Sequence, residues 1–178
     1  MPEIRKARPG EERRILSLYE ELIVQMKDSP FRPTWKKDVY PTMDYIRPAV
    51  ESGTMYVAEE EGDIVGAMVC NHAQGGEYHT VPWGVDVPPE KVSVIHLLAV
   101  DPGYHNRGIA RALLSEAASD CRAAGDSVIR LDALPWNDPG RHLYESFGFE
   151  WRGDIPMTYP AAGRIKFSMY EYILDPGV

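Results

Sequence analysis

Two hydrophobic periods alternate along the chain. Ile15, Leu18, Leu22 and Met26 share one face of Glu11 to Lys27, the spacing of an amphipathic helix. Ile4 to Ala7 reads as a short first strand, broken by Pro9-Gly10. Thr54 to Glu60 and Ile64 to Asn71 read as strands joined at Glu61-Gly62-Asp63, a hairpin. Val92 to Val100 is rich in β-branched and apolar residues and has the length of a buried strand. Helical spacing returns with Ile109, Leu113, Ala117 and Cys121, beside Ala110 and Leu114, and stops at Gly125. Ser127 to Ala133 is a second buried strand, and Pro139 to Phe147 a helix capped by Asn137 or Asp138. Phe149 to about Ile155 and Arg164 to Ile173 read as closing strands around a loop at Pro156 to Gly163.

Two stretches interrupt these patterns. Asp28 to Tyr40 carries Pro30 and Pro33 among Phe31, Trp35 and Tyr40, and reads as a loop before a helix from Pro41 to about Ser52. His72 to Lys91 holds adjacent glycines, three prolines, Tyr78, His79 and Trp83, and reads as a loop with some extended pairing. Interleaved strands and helices predict partly parallel pairing, whereas the hairpin and the two final strands predict antiparallel edges. With no repeat and no linker, residues 1–178 read as a single domain of mixed α/β (α+β) class.

Composition narrows the function classes. The 178 residues suffice for one full core, and 44% hydrophobic with 26% charged residues is an ordinary globular balance. A net charge of −8 argues against nucleic acid as a partner. It suits a cationic substrate, although acidity this mild is more often plain solubility. Cys70 and Cys121 lie in apolar patterns without ligand spacing, which predicts buried free thiols and no metal. The start lacks an apolar signal segment and no apolar run nears ~20 residues, so a cytoplasmic protein without membrane contact is expected.

The chemistry concentrates at the turn Asp101-Pro-Gly-Tyr-His-Asn-Arg-Gly-Ile-Ala110, between a strand and a helix. Unpaired first-turn amides and the positive helix end make an anion site there, and suggest a ligand carrying phosphate. Gly103 and Gly108 have the spacing of a nucleotide triphosphate loop, but Ile109-Ala110 stand where Lys and Ser/Thr are required. The dinucleotide fingerprint fails too, because only Gly108 of its three glycines is present.

The stretch Val100-Asp-Pro-Gly-Tyr-His105-Asn-Arg-Gly108-Ile-Ala110 resembles the core motif of the GNAT superfamily, the acyl-CoA-dependent N-acyltransferases. A second family element follows in Asn137, Gly140, Tyr144 and Gly148-Phe149, so the resemblance covers roughly residues 92 to 153. It implies a GNAT-like fold: a central mixed, mostly antiparallel sheet of roughly six to seven strands with about four helices. Two parallel strands, here Val92–Val100 and Ser127–Ala133, would splay around the pantetheine arm of acetyl-CoA. His105 departs from the family's usual Gln or Arg.

By that resemblance the cofactor (coenzyme A as acetyl-CoA) would meet Leu98, Ala99 and Val100, then His105, Asn106, Arg107, Gly108, Ile109, Ala110 and Arg111, with Asn137 and Tyr144 beside the arm. Arg107, Arg111 and Arg141 are either ribose-phosphate partners or solvated helix arginines. Acetyl transfer to an amine needs a proton acceptor, because deprotonating an ammonium of pKa ~10 at pH 7 costs ~4 kcal/mol. It also gains from a donor near the departing thiolate. Tyr144 occupies the family's donor position; it would otherwise be a core tyrosine. His96 interrupts an apolar strand where many family members carry a catalytic glutamate, and is the candidate acceptor or else a satisfied buried histidine. Glu77, His79 and Asp132 stand in reserve.

Trp35, Tyr40, Tyr78 and Trp83 are the expected acceptor-pocket residues; aromatics near acids hold cations, and equally pin loops to a core. The expectation is an N-acetyltransferase for a small-molecule amine, with a homodimer open to it. Acetylation of a protein N-terminus or lysine is the enzymatic alternative, and a non-catalytic acyl-CoA sensor the alternative from another class.

Overall fold

A computed structural model describes residues 1–174, so the last four positions of the expected domain lie outside the described residues. Seven strands form one sheet: β1 (Glu3–Lys6), β2 (Met55–Glu60), β3 (Asp63–Asn71), β4 (Val92–Val100), β5 (Val128–Ala133), β6 (Glu150–Tyr159) and β7 (Gly163–Ile173). Their order is β1-β2-β3-β4-β5-β7-β6. All neighbours pair antiparallel except β4 and β5, which run parallel. The helices are α1 (Glu12–Gln25), α2 (Met43–Glu51), α3 (Ile109–Ala124) and α4 (Asp138–Phe147).

Pleating sorts side chains to two faces. Ile95, Ile129 and Leu131 pack against Ile109, Leu113 and Tyr144 of α3 and α4. On the other face Val57, Val69 and Leu97 pack against Ile15, Leu22 and Ile46 of α1 and α2. Further along that face Val94, Val128 and Met169 are covered by Tyr78 and Val81 of the 72–91 loop. That loop forms 3-10 turns at Gly76–Thr80 and Pro89–Lys91 where extended pairing was expected. The buried Glu171 carboxylate ties it to the sheet, accepting from Arg130 Nε at 3.0 Å, Arg152 Nε at 3.2 Å and the Gly84 amide at 2.8 Å.

Two boundaries depart from the sequence pattern, and the smaller is that α2 starts at Met43 behind its N-cap Thr42, leaving Pro41 outside the helix. β6 runs through Pro156 to Tyr159, where a loop was expected, and pairs with β7 along that length. Among the described residues β6 ends the sheet, so one of its edges has no partner strand there and a residue without an N–H is tolerated.

The feature that positions the site is a parting of strands. β4 and β5 pair only from Val92 to Val94 against Val128 to Arg130. Beyond that, β4 carries a bulge against β3, with Leu97 and Leu98 opposite Met68 alone and Leu97 at φ 55°. The buried Tyr19 hydroxyl donates to the Leu97 carbonyl at 2.7 Å and holds the bulge in place.

Candidate active site

At one end of the gap, α3 starts without a side-chain cap. The Ala112 amide donates to Gly108 O at 3.0 Å, so Ile109, Ala110 and Arg111 keep the helix's free first-turn amides. Gly108 sits at φ +79° with nothing within 4 Å of where a Cβ would stand. The backbone turn therefore requires glycine, and the space beside it is open. His105 Nε2 donates to the Val100 carbonyl at 2.9 Å, which fixes the turn back onto the strand end. This local job explains how a histidine serves where the family usually has Gln or Arg.

A cleft of ≈ 580 Å³ runs from these amides along the parted strands. Its lining includes Ile95 to Val100 of β4, Leu131 to Ala133 of β5, and the turn residues His105, Asn106 and Gly108 to Arg111. A polar, phosphate-bearing head and an extended amide-bearing arm both fit this arrangement. The amides receive the anion, and the strand edges beyond Val94 lack each other as partners. Of the expected cofactor residues, Arg107 is the one outside the lining; its guanidinium pairs with Glu60 at 2.6 Å and lies over the Tyr104 ring. Arg141 is also engaged, with Tyr170 and the Pro135 carbonyl, whereas Arg111 stays at the cleft.

His96 and Asp132 stand at matching levels of the two strands. Val94 and Arg130 are register partners, and each of the two residues lies two positions further on. Asp132 alternates with Leu131 and Ala133, which face α3 and α4, so it points to the opposite side. His96, two on from Val94, shares that side. The tautomer of His96 follows from its neighbour. The Ala73 amide donates to Asn71 Oδ1 at 3.0 Å, which orients the carboxamide; the same oxygen lies 3.0 Å from His96 Nε2. That nitrogen must then carry the proton, leaving Nδ1 as an acceptor. Burial pushes the His96 pKa down to about 4.

Asp132 is shifted the other way. Burial raises its carboxyl above the ordinary range, partly offset by hydrogen bonds from Tyr78 and Tyr159. Both phenols donate to Oδ2 at 2.8 Å, and among the described residues none donates to Oδ1. Tyr144 lines the same cleft, edge-on to Phe149 at 5.8 Å. Its hydroxyl has no hydrogen bond among the described residues and is not sealed in the core. Burial, then the nearby Asp132 charge, raises its pKa, so it is a phenol and not a phenolate at neutral pH.

The remaining sequence candidates divide. Trp35 and Tyr40 line the cleft. Tyr78 stands behind Asp132, and both Tyr78 and Trp83 line a second cavity of ≈ 240 Å³ beside Arg130, whose guanidinium lies 4.3 Å over the Trp83 ring. Asn137 caps α4, accepting from the Gly140 amide at 3.2 Å, and also borders the cleft. The sequence reading passed over Asn71 and Tyr159 and left Asp132 in reserve. The alternation Ile155, Met157, Tyr159 was the available signal for Tyr159, masked by Pro156.

An uncapped helix start beside two parted parallel strands defines an acetyltransferase-type site, and the chain belongs to the acetyltransferase (GNAT) family, whose model matches residues 19–149. The chain is 35% identical over 89 residues to the N-alpha-acetyltransferase RimI of Mycobacterium tuberculosis, covering 50% of this chain and 54% of that protein. Across its curated relatives, this chain spans between 21% and 54% of their length. A GNAT-family acetyltransferase from Streptococcus agalactiae shares the fold with TM-score 0.78 at 22% identity, covering 96% of this chain and 94% of that one. A protein from Salmonella typhimurium, solved with its cofactor acetyl-CoA, shares it with TM-score 0.73 at 18% identity over 98% and 95% of the two chains. Among the described residues no helix is long and apolar enough to cross a membrane.

Proposed function

We propose that the protein is an N-acetyltransferase that moves the acetyl group of acetyl-CoA to a primary amine. The observation carrying this reading is that one cleft joins the free amides of Ile109 to Arg111 with Tyr144, His96 and Asp132. Acetyl-CoA supplies the acetyl group as a thioester. The α3 amides hold its diphosphate, and the unpaired edges of β4 and β5 hold the arm.

Asp132 takes the proton from the substrate ammonium at Oδ1. A base works best when its pKa lies near the working pH, and burial moves this carboxyl in that direction while moving His96 away from it. His96 Nδ1 remains a neutral acceptor for a hydrogen bond from the amine. As the C–N bond forms and the C–S bond breaks, the Tyr144 hydroxyl gives its proton to the departing sulfur, and the second proton lost by the nitrogen restores the phenol; the proton on Asp132 leaves to solvent. The acceptor is a small molecule in this reading. The name of the mycobacterial relative supports a second one, in which a protein N-terminus occupies the same end of the cleft.

Calorimetric titration with acetyl-CoA and a thiol-release assay over an amine panel test the proposal together. Micromolar binding and thiol release dependent on amine are expected. Binding without release on any amine would leave an acyl-CoA sensor.

A further inference from the structure

The acceptor end of the cleft carries a single acidic side chain. Asp132 is the only Asp or Glu among its described lining residues, and Leu22, Met26, Phe31, Trp35, Tyr40 and Tyr159 also line the cleft. Trp35, Tyr40 and Tyr159 are braced by other rings. Trp35 stands edge-on to Tyr19 at 5.4 Å, and Tyr40 edge-on to Tyr45 at 5.3 Å and Tyr159 at 6.4 Å. Tyr159 rests on Phe167 at 4.9 Å and donates its proton to Asp132. A carboxylate in such surroundings needs more than two phenol hydrogen bonds to offset its lost hydration, and its Oδ1 has room for one further donor.

We infer that the acceptor is an apolar primary monoamine, whose one ammonium meets Asp132 Oδ1 and whose flat or branched body lies among Trp35, Tyr40 and Tyr159. The inference rests on the acetyl-transfer reading and narrows it. Aromatic faces favour a cation at their edge of the cleft and an apolar body elsewhere. A polyamine would leave its further ammonium groups against Leu22, Met26 and Phe31 with no anion to meet them. A peptide N-terminus would bring amide groups for every residue, and the wall offers few partners, since the Tyr159 hydroxyl already serves Asp132. Each mismatch is an unpaired polar or charged group taken out of water.

The test compares 2-phenylethylamine, spermidine and an alanine-initiated tetrapeptide by thiol release at saturating acetyl-CoA. The expected kcat/KM for phenylethylamine exceeds the other two by roughly 100-fold or more. Met26→Glu adds a second anion to the wall and should narrow the preference over spermidine about tenfold. Asp132→Asn should lower kcat, because the proton acceptor is gone, and also raise the KM for phenylethylamine about tenfold while acetyl-CoA affinity, read by calorimetry, stays within about twofold. Faster turnover of spermidine or of the peptide overturns the monoamine inference and leaves acetyl transfer standing. A preference unmoved by Met26→Glu also overturns it. Failure to bind acetyl-CoA, or no turnover of any of the three amines, overturns both.

Discussion

At the residue scale, Tyr144, His96 and Asp132 line one cleft in surroundings that differ. Tyr144 has a free hydroxyl kept protonated by burial, which is what a donor to a thiolate needs. Tyr144→Phe keeps the ring packing with Phe149 and Tyr170 and removes only the proton. It should lower kcat by about 10²-fold or more with the acetyl-CoA KM nearly unchanged, as measured in steady state. Unaltered kcat would remove the role. His96 makes a prediction about stability. Its folded pKa of about 4 lies below the ordinary 6.5, so the unfolded chain binds the extra proton between those values. Stability is therefore full above about pH 6.5 and falls as pH drops toward 4, by on the order of 3 kcal/mol. Urea titrations of the wild type and His96→Gln across that window should converge at the acid end, and parallel curves would refute the assignment. Tyr144 and His96 were legible as single letters in a motif or an apolar strand. Asp132 was not, because its importance comes from Tyr78 and Tyr159, 54 and 27 positions away, meeting on one oxygen.

At the element scale, the strand–turn–helix unit of β4 and α3 was readable because each part is local: an apolar run, a left-handed glycine and a helical stripe. Gly108 tests the reading. Its φ of +79° is strained for any other residue, so Gly108→Ala should cost about 1–2 kcal/mol of stability. It should also weaken acetyl-CoA binding, because the amides of Ile109 to Arg111 are aimed by that turn. Calorimetry showing full affinity in a destabilised Gly108→Ala protein would separate the glycine from the anion site. The bulge at Leu97 was not legible. Nothing in Leu97-Leu98 marks a left-handed residue, and the conformation is fixed by a hydroxyl from Tyr19 on another element. The end of β6 was hidden for the opposite reason: Pro156 is a local breaker signal, overridden because that strand lies at the edge of the sheet.

At the scale of the whole molecule, the 72–91 loop joins stability to the site. Its aromatic residues looked like pocket walls in the sequence, yet Trp83 stacks on Arg130 and Tyr78 supports Asp132 from behind. The anchor is Glu171, whose side chain is fully buried and which gathers Arg130, Arg152 and the Gly84 amide. Arg130 is itself only 6% exposed, so removing the carboxylate charge leaves a buried guanidinium without its counter-ion. Glu171→Gln should therefore destabilise the protein by about 3–5 kcal/mol, against about 0–1 kcal/mol for an exposed pair. At this chain length that corresponds to a Tm lower by roughly 10 °C. Salt distinguishes the two cases, because a buried pair is poorly screened: the difference between wild type and Glu171→Gln should persist in 1 M NaCl. Activity well below the melting range supplies a second reading. If the loop presents Tyr78 to Asp132, a loosened loop lowers kcat for the amine even where the protein remains folded, while acetyl-CoA affinity is kept. A Glu171→Gln protein that melts early but turns over normally at 20 °C would mean that the loop serves the fold alone.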